Sequence, residues 1–373
     1  MKRKLFIVLL VLSFIALPLM VACAQEAPVP VPAPAPAPAP VPAPAPAPAP
    51  ASEDPEAFYK DKVLTFAQYF DMGSGEDLAI RAMAPYIVKN TGARAMDIIS
   101  MTGAGGIEAI NKVYSAKPDG LTLGMAEVAG MALDSIFQIN PASKYKTEDF
   151  QYVFGFPRVR QFQVVREGGA YDTVEKLNRA TDLRIGTYSN LVGNFNMTQY
   201  TIAKAFNLEG TMISGMGGSK RILLLQRDEL DITILDTDRI SQIRDSELPL
   251  KALMVMAPER HPYFPEIPTV RELVPNPSAD LLSMIEFSEN AMPRMASILA
   301  PPGTPDDRLA FLEKAFVAAG DEAIMLIEMA LEVEVKAYLT RSDIEDTIQS
   351  IMAPDGQARL KDLFDPLITQ FNP

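Results

Sequence analysis

Short runs of β-branched and aromatic residues alternate with longer amphipathic stretches along most of the chain. VLTFAQYF (63–70), MDIIS (96–100), LTLGMAE (121–127), FQVVRE (162–167), LRIGTY (183–188), TMIS (211–214), LDITILD (230–236) and LKALMVM (250–256) read as strands. Helical stretches separate most of them, the first starting at about residue 75 and the second at about residue 106. This β-α-β-α order predicts an α/β fold with largely parallel sheets. The pattern runs for more than 300 residues, too long for one doubly wound sheet, so two lobes are expected. Residues 57–158 with 282–373 are assigned to one lobe and 159–281 to the other. From Pro305 to Phe371 only helical periodicity remains, and no repeat at solenoid spacing is present.

The first 51 residues follow different rules. Lys2, Arg3 and Lys4 precede the apolar run LFIVLLVLSFIALPLMVA, which ends at Cys23. A basic start, an apolar core and small residues at the end describe a secretory signal over residues 1–22. Cys23 after LMVA is similar to the lipobox of bacterial lipoproteins, which implies lipidation of that cysteine; the alternative is a plain signal peptide beside an incidental cysteine. In residues 27–51 every even position from 28 to 50 is proline. Proline fixes φ and lacks an amide N–H, so this segment is expected to be extended polyproline II. At roughly 3.1 Å per residue it spans on the order of 75 Å, either as a stiff tether or as a plain spacer. Residues 23–56 thus form an anchor and linker.

Charge and composition narrow the chemistry. Lys and Arg total 34 against 47 Asp and Glu, a net charge of −13. That balance argues against nucleic acid or an anionic membrane surface as a partner. One His and one Cys argue against most metal sites and against Ser-His-Asp or Cys-His catalysis. His261 lies in the Pro-rich stretch ERHPYFPEIPT and is expected on the surface. No metal, cofactor or catalytic residue is assigned.

Glycines mark the strand-to-helix junctions. In GSGEDLAIR, Ser74 followed by Asp77 resembles a capping box, with Leu78, Ala82 and Pro85 on one helix face and Met83 and Ile87 beside it. Gly73 and Gly75 leave the backbone bare where free N–H groups and the helix dipole favour an anion. The same residues also serve a tight turn. The signal recurs: Gly103, Gly105 and Gly106 follow MDIIS, Ser189, Asn190, Gly193 and Asn194 follow LRIGTY, and Gly215, Gly217, Gly218 and Ser219 follow TMIS. If two lobes face each other, these four loops line one cleft. Asp236 and Asp238, in LDTDR, either enter that cleft or sit in a solvated turn. Arg81, one turn after Asp77, is expected to pair with a carboxylate and shape the loop. GSGEDL and GAGGIE lack the last glycine of GxGxxG, and GMGGSK lacks P-loop spacing.

Taken in order, GSGEDLAIR, GAGGIEAINKVYSAKPDGLTL, EIPTVRELVP and APPGTPDDRLAFLEKAF resemble the extracytoplasmic solute receptors of tripartite tricarboxylate transporters, the TctC or Bug family. The most specific matches are Ala116, Pro118, Asp119, Gly120, Thr122 and Leu123, then Pro268, Thr269 and Glu272, then Pro301, Gly303, Thr304 and Pro305. The resemblance implies a two-lobed, type II (Venus-flytrap) periplasmic-binding-protein fold. It implies a small carboxylate held largely by backbone N–H groups. Phe70, Gly73, Ser74, Gly75 and Asp77 would form the first loop, Ser189, Asn190, Gly193 and Asn194 one facing loop, and Gly217 the other. The chain departs from the family at Ser74, where the family carries a second glycine, at Leu121, where it carries tyrosine, and at Ser100-Met101-Thr102, where it carries Asn-Arg-Pro.

The expected function is that of a lipid-anchored, extracytoplasmic, monomeric solute-binding protein, not an enzyme. It would deliver a tricarboxylate, dicarboxylate, amino acid or aromatic acid to the large and small subunits of a membrane permease. A receptor of the same fold that reports its ligand to a signalling partner is the alternative. A secreted hydrolase using Asp and Glu is the third reading, and no paired-carboxylate motif supports it.

Overall fold

The computed structural model describes residues 54–138, 140–156, 159–188, 193–290, 296–331 and 338–371. The signal segment, Cys23 and most of the Pro-rich linker lie outside the described residues, as do Ser189 and Asn190.

Two five-stranded sheets organise the body. The first contains β1 (Val63–Gln68), β2 (Ala95–Ser100), β3 (Thr122–Ala126), β4 (Gln151–Gly155) and, from much later in the chain, β10 (Ser297–Ala300). Its order is β2-β1-β3-β10-β4. The second contains β5 (Gln161–Arg166), β6 (Leu183–Gly186), β7 (Gly210–Ile213), β8 (Ile232–Asp236) and β9 (Leu250–Met256), in the order β7-β6-β8-β5-β9. In each sheet one strand runs against both of its neighbours: β10 against β3 and β4, and β5 against β8 and β9. The two orders are equivalent, with the reversed strand fourth in each. The other pairings of β1 with β2 and β3, and of β6 with β7 and β8, are parallel.

All eight strands expected from the pattern are present. Two more were not expected. SILA of β10 is buried on both faces, so it shows no alternation, and QYVFG of β4 carries only one β-branched residue.

The first helix after β1, Gly75–Thr91, shows how the elements form. Ser74 accepts a hydrogen bond from Asp77 N as N-cap, and Gly92 ends the helix at φ 71°. Its buried face is Ala79, Ile80, Met83 and Ile87, which pack with Leu312, Phe316, Ala319 and Ala323 of the long helix Asp306–Leu331. Each large side chain buried here contributes about 1.5–3 kcal/mol. The face expected from the sequence was offset: Leu78 is 47% exposed and Pro85 faces solvent.

The lobe assignment of the C-terminal stretch also differs from the sequence division. Helix Ala279–Asn290 and the final helix, Pro354–Phe371, pack on the second sheet's side. Leu281, Ile285, Phe364 and Phe371 share one buried cluster with Tyr200, Phe206 and Ile232. Within 282–373, β10 and the helix Asp306–Leu331 join the first sheet. The chain thus returns to the first sheet and then ends on the second.

His261 is buried rather than on the surface, at 3% exposure. Its ring lies 5.8 Å from that of Phe162 and 5.3 Å from that of Phe264, and its Nδ1 accepts from Tyr263 N at 3.1 Å. Burial first, then the nearby Arg160 cation, lowers its pKa from 6.5 to about 4. A lowered histidine pKa means that stability is full above the unfolded value and declines as pH falls from about 6.5 toward about 4. Chemical denaturation at pH 7 and pH 5 should therefore show the protein losing about 1–2 kcal/mol more than His261→Gln over that interval. Equal pH dependence of the two proteins would contradict the burial of a neutral imidazole.

Candidate functional site

A buried polar network sets the first loop. Gln68, at the end of β1, is fully buried. Its Oε1 accepts from Phe70 N at 2.7 Å, and its Nε2 donates to Asp77 Oδ1 at 2.9 Å and to Ser100 Oγ at 2.8 Å. Asp77 also accepts from Gly73 N at 2.9 Å and pairs with Arg81 Nε at 2.8 Å. Gly73 takes φ +79°, a left-handed turn that suits glycine. Asp77 is therefore saturated inside the loop, and Arg81 pairs with it as the spacing suggested. The network turns Phe70, Asp71, Ser74 and Glu76 toward the open side of the sheet.

A cleft opens there, enclosing about 500 Å³ of empty space that includes open solvent. From the first sheet's side it is lined by Tyr69, Phe70, Asp71, Ser74 and Glu76 after β1, and by Glu127 after β3. From the second sheet's side come Tyr188 and Phe195 after β6, Gly218 and Arg221 after β7, and Leu235, Asp236, Asp238 and Arg239 at and after β8. These are the carboxyl ends of strands, where open α/β sheets place ligands. Helix Gly218–Gln226 points its N-terminus at the same region.

Of the residues singled out in the sequence, Phe70, Ser74, Gly218, Asp236 and Asp238 line the cleft. Gly75 opens the helix behind Ser74, and Gly217 is the N-cap of helix Gly218–Gln226. A Cβ on Gly217 would collide with Asp71 Oδ2, so the absent side chain lets the loops of the two sheets approach. Gly73 and Asp77 shape the loop from behind. Gly193 is the N-cap of helix Asn194–Phe206, outside the lining set, and the side chain of Asn194 lies outside the described residues. The GAGG run does not line the cleft among the described residues. Gly106, at φ +94°, leaves room instead for the Tyr69 ring, which a Cβ would strike.

Arg221 was not singled out, and it is the most unusual group in the cleft. It is 2% exposed. Its Nη1 donates to Ile234 O and lies 3.3 Å from Thr233 Oγ1, and its guanidinium sits 4.8 Å from the Phe195 ring centre and 6.0 Å from that of Tyr188. Its Nε has no hydrogen-bond partner, and none of the ion pairs among the described residues includes it. Burial lowers its pKa to about 10, against the raising field of Asp236, so it remains a cation at neutral pH. A sequence signal existed: Lys220 and Arg221 stand in the first turn of their helix, where the macrodipole disfavours cations.

The carboxyls of the cleft behave in the reverse way. Burial, then Asp238, raises Glu76 to about 7. Burial, with the fields of Asp238, Glu76 and Glu127, holds Asp236 well above the usual carboxylate range. Glu127 N donates to Tyr69 Oη at 3.2 Å, and Asp238 lies 3.5 Å from Arg239.

The family model for the tripartite tricarboxylate transporter family receptor, TctC, matches residues 89–355. A protein described as "UPF0065 protein in tcbD-tcbE intergenic region" from Pseudomonas sp. (strain P51) is 24% identical over 303 residues, covering 77% of this chain and 84% of that protein. The periplasmic binding protein BugD superposes with a TM-score of 0.67 at 17% identity, covering 84% of this chain and 100% of its own. MatC from Rhodopseudomonas palustris, solved with bound malate, superposes with a TM-score of 0.63 at 19% identity, covering 81% of this chain and 98% of its own. The two-lobed periplasmic-binding-protein fold expected from the sequence is the fold found.

Two substitutions test the site's construction. Asp77→Asn places a donor where three donors converge, and should cost about 1–3 kcal/mol in a denaturant titration; an unchanged midpoint would remove Asp77 as the organiser of the loop. Glu76 has its folded pKa raised, so ionising it opposes folding above about 4.5 and fully above about 7. Glu76→Gln should therefore be more stable than the parent by on the order of 2 kcal/mol near pH 8 and equal to it near pH 4. A constant difference across that range would contradict the shift.

Proposed function

The chain belongs to the tripartite tricarboxylate transporter family receptors, TctC, and from that premise we propose that it captures a small organic carboxylate in the cleft between its two sheets. The observation that carries this reading is Arg221: a residue that lines the cleft at 2% exposure, with its buried Nε unbonded and without an ion pair among the described residues. Leaving a buried charge unpaired costs several kcal/mol, and a ligand carboxylate at Nε removes that cost. Backbone N–H groups at the starts of helices Gly75–Thr91 and Gly218–Gln226 add fixed dipoles of the same sign. These act at short range, whereas the acidic surface is screened beyond about 8–10 Å. The malate held by MatC, which shares the fold, is a ligand of this class.

In this reading Phe70 and Ser74 bound the ligand on one side, Gly217, Gly218 and Asp236 on the other, and Asp77 acts through the loop. The protein is a receptor rather than an enzyme. It works outside the cytoplasm, carried on a lipidated Cys23 and held away from the membrane by the Pro-Ala tether. Ligand closes the two lobes, and the closed form is what a permease of large and small subunits recognises.

Thermal unfolding against a panel of small acids and their amides tests the proposal. An acid at a hundredfold excess over Kd should stabilise the protein by about 2.7 kcal/mol, and its amide should not. Arg221→Met keeps the apolar stem and should weaken binding of that acid by about 2–5 kcal/mol. Undiminished binding in Arg221→Met, or equal binding of the amide, would overturn the reading.

A further inference from the structure

Asp71 enters the cleft from the first sheet's side, between the end of β1 and the turn at Gly73. Asp71 and Asp77 flank the same turn, and the two carboxylates are held in opposite ways. Asp77 is met by three donors. Asp71 supports the turn with its backbone, its carbonyl accepting from Ser74 N at 3.0 Å. No hydrogen bond or ion pair among the described residues holds its carboxylate. The residue is half-buried, and Met72 and Gly73 beside it are exposed, so the side chain has a way out to water.

The carboxylate reaches across the cleft. Its Oδ2 lies against Gly217 on the second sheet's side, where a Cβ would strike it. Gly217 is the N-cap of helix Gly218–Gln226 and has no side chain with which to cap it. The start of such a helix carries partial positive charge. Arg221 stands in the first turn of that helix, its backbone N–H bonded to Gly217 O at 3.1 Å, and its guanidinium is buried with Nε unbonded. Asp71 acts on both polar groups beside this spot. After burial, it is the first of the charges that raise the Tyr188 hydroxyl, and after Asp236 it helps to offset the burial that lowers Arg221. Tyr188 and Arg221 adjoin each other, with 6.0 Å between ring centre and guanidinium. A carboxylate of the chain itself thus stands in the positive field that a ligand carboxylate needs.

We propose that Asp71 is an internal competitor for the ligand: its carboxylate occupies the field of Arg221 and of the start of helix Gly218–Gln226, bridges the two sheets there, and turns away when a ligand carboxylate binds. This rests on the carboxylate reading above and deepens it. Two carboxylates around one guanidinium repel each other, and in a partly buried site water screens them weakly. An anion displaces Asp71 by bonding Arg221 Nε, which Asp71 does not do. The contact therefore sets the threshold for binding by geometry as well as by charge. Gly217 serves the same device, because only a residue without Cβ leaves room for Asp71 Oδ2.

Titration calorimetry at pH 7 with succinate, malate, adipate, citrate and benzoate, together with urea denaturation in the absence of acid, tests the proposal. The acid that binds the parent protein most tightly should bind Asp71→Asn about tenfold tighter, the reverse of what losing a ligand contact would give. Without acid, Asp71→Asn should lower the urea midpoint further in the parent than in Arg221→Met, the mark of an attraction between the two side chains. Should Asp71→Asn not fold, Asp71→Ser carries the same expectations. Equal or weaker binding by the variant would overturn the competition. Tighter binding with the same midpoint change in both backgrounds would reduce Asp71 to a distant repulsion of the ligand and would overturn it too. No binding by any of these acids to parent or variant would instead remove the carboxylate reading, and the competition with it, whatever the midpoints show.

Discussion

Everything in the first half of the site hangs on one buried carboxylate. Asp77 joins the end of β1 through Gln68, the turn through Gly73 N and its own helix through Arg81. Its surroundings satisfy the charge without solvent, so the loop is held before any ligand arrives. Such preorganisation lowers the ordering cost of binding. Because Asp77 is occupied, the side chains that face the cleft are its neighbours: Phe70, Asp71, Ser74 and Glu76.

The second sheet supports its half differently. A buried polar chain runs from Gln199 Nε2 to Gln163 Oε1 at 2.9 Å, from Gln163 Nε2 to Thr233 O at 3.0 Å, and from Thr233 Oγ1 to Gly186 O at 2.7 Å. Arg221 docks on this layer and on the Phe195 ring. Here the charge is positioned but not satisfied. The contrast between a saturated Asp77 and an unsaturated Arg221 separates scaffold from site more sharply than residue type does. Perturbed groups also gather where function is expected: Arg221, Glu76 and Asp236 all share the cleft.

Much of the fold was legible in local pattern, and most of the site was not. Strands such as VLTFAQ and LKALMVM announce themselves by length and β-branched content, and the glycines of GSGED and GMGGS mark true helix starts. β10 escaped because four buried residues carry no periodicity. The cleft depends on which junctions converge, and that follows from strand order, a long-range property. Hence GAGG, after the edge strand β2, supports Tyr69 from behind, while Glu127 after β3 and Asp236 after β8 line the cleft. Asp77 was placed on the ligand loop only by the family resemblance, while the capping-box spacing read from the residues shows none of the three donors around its carboxylate. His261 looked exposed because prolines flank it, yet Phe162 and Phe264 enclose it. Arg221 was visible only as a cation in the wrong turn of a helix.

The most direct test of the account is a crystal structure of the protein with the tightest-binding small acid found for it. The account predicts a ligand carboxylate oxygen about 2.7–2.9 Å from Arg221 Nε, with the two sheets' loops closed over it. A ligand whose carboxylate lies elsewhere, with Arg221 Nε still unbonded, would contradict it.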